Sequence, residues 1–265
     1  MTKTLLATAA SFAVLAISAG AQAQTIGHIG ANYARSNLDA GIGDLDVDAV
    51  EIEGAVRFDA GALGAQIDGA VTRFDTDGGD ATVGALTGHL NTKLDGALLG
   101  GFAGVEHSDD ATLWAVGAEG QANLGEATSL YGQLGYGQAE DLSDVDFWAG
   151  RVELRHFFTD NFKLQGSLGA TRADGNGGDL DMWNAGVDAE YQFAGTQWSV
   201  LGGYEHAEID DANLDSDTFR IGVRYTFGGT LRDRYQSGAS LAPVSKLFGG
   251  TLGQGVVGAL GALAD

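Results

Sequence analysis

Between residues 25 and 227 the chain alternates apolar and polar side chains with a period of two. In Val50-Ile52-Val56-Phe58, Trp148-Val152-Leu154-Phe158 and Trp183-Val187-Tyr191-Phe193 the large apolar residues all fall on one parity. The intervening positions carry Glu51, Glu53 and Arg57, then Arg151, Glu153 and Arg155, then Asp188 and Glu190. Successive strand side chains point to opposite faces, so this pattern predicts strands with one greasy and one charged face. Twelve segments follow: 25–35, 47–58, 63–74, 81–94, 97–107, 111–124, 128–139, 145–158, 162–173, 182–193, 198–208 and 217–227. Segments 63–74 and 97–107 are rich in Gly and Ala, and their phase is not readable. The other lengths suit tilted bilayer-crossing strands, which need about 9–11 residues each.

The connections differ in kind. DAGA, DG, GEA, TDN and AGTQ read as short turns, whereas SNLDAGIGDLDVD, DTDGGD, SDD, EDLSDVD, ADGNGGDLD and EIDDANLDSD read as longer acidic loops. Alternating short turns and long loops are what an up-and-down barrel in a membrane predicts. With odd strands running outward, Trp114, Tyr136, Trp148, Trp183, Tyr204 and Phe219 fall near one rim. Phe58, Phe158, Phe162, Tyr191, Phe193, Trp198, Tyr225 and Phe227 fall near the other, making two interfacial belts. A lone strand cannot span lipid because its unpaired backbone groups would each cost several kcal/mol, and closure removes every edge. The expected fold is therefore all-β, a transmembrane antiparallel barrel of about twelve strands. Phe219–Phe227, FRIGVRYTF, is its closing strand, with Arg220 and Arg224 in the lumen.

Composition narrows the setting. Met1–Ala23 has one early cation, an apolar run and an Ala21-Gln22-Ala23 cleavage motif, so 1–23 reads as a secretory signal peptide. Residues 24–227 are the barrel and 228–265 a C-terminal tail. The chain has no cysteine, and stability must come from burial. Its 43 glycines suit strands where neighbours approach closely. A net charge of −22 excludes nucleic acid as a partner, since phosphate binding needs clustered Lys and Arg.

These features together resemble a Gram-negative outer-membrane β-barrel of the porin-like kind. The resemblance covers Gln24 to Phe227, and Phe227 is similar to the terminal aromatic by which such barrels are recognised for assembly. The chain departs from that pattern by continuing past Phe227. The tail lacks a two-residue period and reads as a flexible periplasmic extension, with a plug folded back into the lumen as the sharper alternative. The resemblance implies an outer-membrane channel for passive diffusion of small hydrophilic solutes or ions, and the acidic loops favour cations at its mouth. The alternative is a closed structural or adhesive barrel presenting those loops. The implied partners are outer-membrane lipid, lipopolysaccharide and the assembly machinery. No segment identifies a subunit interface for a homo-oligomer.

By phase, the lumen is lined by Glu51, Glu53, Arg57, Asp68, His89, Lys93, Glu119, Arg151, Glu153, Arg155, Lys163, Asp188, Glu190, Glu205, Arg220 and Arg224, alongside Gln66, Gln121, Gln133 and Gln165. Hairpin register places Glu205 near Arg220 as a cross-strand pair. No catalytic set emerges, because His156 has the apolar phase and Ser167, on the next strand, has the lumen phase. No cofactor is implied. Weak divalent-cation binding at the Asp/Gly loops lacks the spacing of an EF-hand, and solvated turns explain the same residues.

Overall fold

The computed structural model describes residues 25–39, 43–76, 79–108, 111–140, 145–175, 178–209 and 214–247. The predicted signal peptide, the tips of the six acidic connections and the tail from 248 onward lie outside these residues. Twelve strands form in chain order: β1 Ile26–Asp39, β2 Asp44–Ala60, β3 Leu63–Thr76, β4 Gly79–Leu94, β5 Ala97–His107, β6 Thr112–Asn123, β7 Thr128–Glu140, β8 Val145–Thr159, β9 Phe162–Gly175, β10 Gly178–Gln192, β11 Trp198–Ile209 and β12 Leu214–Phe227. Each pairs antiparallel with its chain neighbours, and β12 closes on β1 from Gly27↔Phe227 to Asp39↔Asp215. Closure leaves no ladder edge.

The distribution of side chains is inside out. Val50 and Ile52 are 55% exposed and Ile221 is 65% exposed, whereas Arg57 is fully buried and Arg155 is 1% exposed. A wall apolar outside and charged inside is the arrangement lipid requires of a barrel. Ring contacts mark both belts. Trp114, Tyr136 and Trp148 stack across β6–β8 near one rim, and Tyr204 packs on Phe219 there too. Phe158–Phe162, Tyr191–Phe193 and Trp198–Tyr225 mark the other rim, where β1 begins and β12 ends.

Much of the expected long acidic loops is instead strand. Only two residues separate β3 from β4 and β9 from β10, and four separate β1 from β2 and β11 from β12. The acidic segments extend the ladder, as in Asn37↔Asp46, Asp75↔Asp80 and Asp174↔Asp179. β2 has 17 residues and β4 has 16, beyond the roughly 9–11 that cross hydrocarbon. Above the membrane both faces meet water, so the apolar alternation that marks a strand vanishes while the hydrogen-bonded ladder continues. We refer to this end as the acidic rim and to the opposite end as the terminal rim.

The expectation of a flexible external tail is overturned for residues 231–247, which lie inside the barrel. Helix α1, Leu231–Gln236, starts on a capping box in which Thr230 Oγ1 accepts from the Asp233 amide at 3.2 Å and the Thr230 amide donates to Asp233 Oδ2 at 2.9 Å. Gly238 ends it at φ +85°, a conformation suited to glycine, and the Ala239 amide closes on the Arg234 carbonyl at 2.9 Å. A short turn, α2, Val244–Leu247, follows Pro243, the chain's single proline, which brings no N–H that the lumen would have to satisfy.

Candidate functional site: a charge-paired lumen with a resident tail

Successive tail residues bond to wall residues that lie progressively farther from the terminal rim. The Leu231 amide donates to Gln192 Oε1 at 2.6 Å, and Gln121 Nε2 donates to the Tyr235 carbonyl at 3.0 Å. Arg57 reaches the Gly238 carbonyl at 3.3 Å and Arg155 the Ser240 carbonyl at 3.2 Å. Gln66 bonds both the amide and the carbonyl of Leu241, and Gln133 Nε2 donates to the Ala242 carbonyl at 2.7 Å. The Val244 amide donates to Thr87 Oγ1 at 3.0 Å, halfway along β4. An irregular segment inside a barrel must satisfy its backbone groups this way, because bulk water is displaced.

The wall is shaped to receive it. A Cβ on Gly104 would lie 2.4 Å from Val244, and one on Gly135 would lie 2.8 Å from Leu247. Val244 and Leu247 complete an inward apolar cluster with Phe102, Leu113, Ala115, Phe147 and Ala149. That cluster explains the unreadable phase of β5, whose inward face carries apolar Leu98 and Phe102 along with Glu106.

Fifteen of the sixteen charged residues assigned to the lumen are buried or partly buried along the inner face, while Lys93 sits at the terminal rim, bonded to Asp59 at 2.6 Å. Glu190 is the hub. It accepts from Arg224 at 2.8 Å, from Arg234 of the tail at 2.7 Å and from Tyr235 at 3.2 Å. Lys163 in turn donates to Tyr235 Oη at 2.7 Å. Glu153 is held between Arg151 at 2.9 Å and Arg155 at 2.5 Å. His89 bridges Asp68 at 2.8 Å and Glu119 at 2.9 Å, and Tyr131 donates to the same Glu119 while its hydroxyl accepts the Ala242 amide.

The expected Glu205–Arg220 pair does not form. Arg220 bonds Asp188 on β10, reaching across β11 at Gly203, which is registered against both residues. A Cβ on Gly203 would lie 2.1 Å from Asp188 Oδ1. Glu205 instead accepts from Asn184 at 3.2 Å and stands 3.9 Å from Arg151. Arg224 likewise bonds Glu53 across β1 at Gly30, which is registered against both. Inward glycines thus let charge pairs span two strand spacings, a partner choice that adjacent-strand register misses. Tyr131, Thr87, Gln192 and Asn32 also line this interior. Tyr131 shares lumen phase with Gln133, and that phase was the available signal, but an aromatic in a barrel strand reads first as a belt residue.

A cavity of about 110 Å³ remains between the tail and the wall formed by β1–β3 and β8–β12. Its lining holds six carboxylates (Glu51, Glu53, Asp68, Glu153, Asp188 and Glu190) and five cations (Arg155, Lys163, Arg220, Arg224 and Lys246), so its charge nearly balances. Surplus negative charge lies higher up. At the acidic rim Arg35, Arg73 and Arg172 each already meet an acid, Asp46, Asp80 and Asp179, at 2.6–2.9 Å. His156 faces outward, 4.7 Å from the Phe158 ring, and Ser167 is buried on the inner face, so no nucleophile–base pair forms between them. Among the described residues no cluster of three or more side chains could hold a metal ion.

A family model described as an outer membrane protein beta-barrel domain matches residues 6–227. The chain belongs to that family. It is an outer-membrane β-barrel, and the match stops at Phe227, the last residue of β12, leaving the lumen-filling tail outside the shared domain. Similar solved structures include an outer membrane channel from Pseudomonas putida F1, at 14% identity and TM-score 0.59 over 76% of this chain and 94% of that one. The translocator domain of the autotransporter NalP from Neisseria meningitidis aligns at 15% identity and TM-score 0.56, covering 84% and 96% of the two chains. The NanC porin aligns at 9% identity and TM-score 0.55, covering 74% and 98%. At these identities the likeness is one of fold. No curated protein sequence matches the chain.

Proposed function

We propose that this barrel is a channel for passive diffusion of small hydrophilic solutes, with the tail as its constriction. The observation that carries the reading is the charged cavity beside the tail. A barrel serving only as a membrane-embedded scaffold has no need of a lumen in which eleven Asp, Glu, Lys and Arg side chains surround open space. Buried charge is costly unless paired, and paired charge around open space is what a passage for hydrated solutes requires. Two of the similar structures carry the words channel and porin in their names, which agrees with this reading. The terminal rim would face the periplasm, as it must for a chain exported from that side, and the acidic rim the exterior. Acidic residues there raise the local concentration of cations, so a cation preference belongs to the mouth and not to the near-neutral cavity. Apolar faces contact lipid, and the acidic rim lies at lipopolysaccharide height.

Single-channel conductance in a planar bilayer tests this. Residues 24–265 should give small ohmic steps, and residues 24–227 distinctly larger ones, because removing the tail opens the lumen. Silence from both proteins, each folded by circular dichroism, would leave a closed structural barrel that presents its acidic rim.

A further inference from the structure

Most charges around the cavity neutralise one another. Glu53 and Glu190 take Arg224, Asp188 takes Arg220, and Glu153 takes Arg155. Lys163 has no carboxylate within ion-pair distance among the described residues and is held by Gln165 Oε1 at 2.8 Å and Tyr235 Oη at 2.7 Å. Two further lining charges also lack an ion pair. Glu51 on β2 is bonded only by neutral donors, Asn32 Nδ2 at 2.8 Å and Thr72 Oγ1 at 3.3 Å, each on a different carboxylate oxygen. Lys246, on the tail, has no carboxylate within ion-pair distance among the described residues. Three lining residues also carry a buried polar atom without a hydrogen-bond partner: Asn32 Oδ1, Asp68 Oδ1 and Arg220 Nε.

We infer that this cavity binds a small zwitterion of the α-amino-acid class, its ammonium toward Glu51 and its carboxylate toward Lys246. The inference rests on the channel reading for access to the cavity, though not for binding. A simple cation would leave Lys246 uncompensated and a simple anion would leave Glu51 so. A solute carrying both charges compensates both and adds no net charge to a lining that already nearly balances. Size restricts the class. A cavity of about 150 Å³ holds benzene, so about 110 Å³ suits an amino acid with a short side chain. Because Lys246 belongs to the tail, the tail both narrows the lumen and supplies half of the recognition.

L-alanine is the probe. Equilibrium dialysis of radiolabelled L-alanine against folded residues 24–265 in detergent should show saturable binding. Propionate and ethylamine, which each lack one of its charges, should bind at least tenfold more weakly. Glu51→Gln and Lys246→Met should each weaken alanine binding about tenfold, the effect of losing one charge-assisted contact, and Lys246→Arg should keep most of it. Circular dichroism and heat-modifiable migration establish folding of each variant. The site is overturned if alanine binds no better than propionate and ethylamine, or if both neutralising variants bind as the parent does. The same proteins in a planar bilayer separate this inference from the channel. Alanine binding without ohmic current upholds the site and removes the pore, whereas ohmic current without alanine preference upholds the pore and removes the site.

Discussion

Glu190 holds the tail by a single carboxylate, accepting from Arg224, Arg234 and Tyr235 at once. Both guanidiniums are almost wholly buried, with Arg234 at 0% exposure. Replacing Glu190 by Gln keeps its shape and removes the only carboxylate within ion-pair distance of Arg234 among the described residues. Removing one partner of a buried pair costs about 3–5 kcal/mol, because the remaining charge has no compensation. Glu190→Gln should therefore lower the urea midpoint of the refolded barrel and expose the tail to protease. Arg35→Ala at the acidic rim, which breaks an ion pair whose partners are both more than half exposed, should cost about 0–1 kcal/mol. A Glu190→Gln protein with an unchanged midpoint and a protected tail would show that the backbone ladder alone holds the segment. The alternation of each strand made residues such as Glu190 and Arg224 legible as inward-facing. Their partners were not legible, since Arg220 and Arg224 each skip a neighbouring strand at a glycine.

At the scale of the element, each strand reports its depth in the bilayer. Along β8 the outward residues run from Trp148 in one belt, through Val152 and Leu154, to Phe158 in the other. Leu154 is 51% exposed between the belts, and Leu124, 60% exposed, lies in the turn at the terminal rim. Accessibility to solvent is thus nearly equal, and the surrounding medium differs. Leu154→Arg should cost about 2–4 kcal/mol on folding into vesicles, and Leu124→Arg about 0–1. Equal costs at both positions would place the lipid band elsewhere. The membrane-crossing parts of ten strands were readable from period two, the phase of β3 and β5 was not, and neither were the acidic extensions, because a strand wet on both faces has no reason to alternate. The tail was partly readable too. Thr230-Leu231-Arg232-Asp233 is a capping-box sequence and Gly238 a helix stop, signals of a short ordered helix in what otherwise reads as a polar tail.

For the whole molecule, the separation of charge is the property with the longest reach. The cavity lining nearly balances, while the acidic rim holds a surplus that its three arginines do not neutralise. Cation preference would then originate at the mouth and act through solvent. Reversal potentials under a KCl gradient should show it at about 0.1 M salt, where the screening length is about 10 Å. The preference should shrink toward 1 M, where that length is about 3 Å. A preference independent of salt would relocate selectivity to the cavity, where fixed charges stand close to the solute and screening is weak.

What the sequence determined by itself is the wall. A two-residue period repeated twelve times, with aromatics at both ends of the apolar face, admits one way to satisfy backbone hydrogen bonds in lipid, and that is closure. What only the tertiary structure decided is the contents of the lumen. The tail has no periodicity because it packs on a curved inner surface drawn from most of the strands. Its partners are glutamines, arginines and glycines separated from it by up to 181 residues, as Arg57 is from Gly238. Local pattern cannot encode contacts of that range, since they depend on where closure brings the walls together.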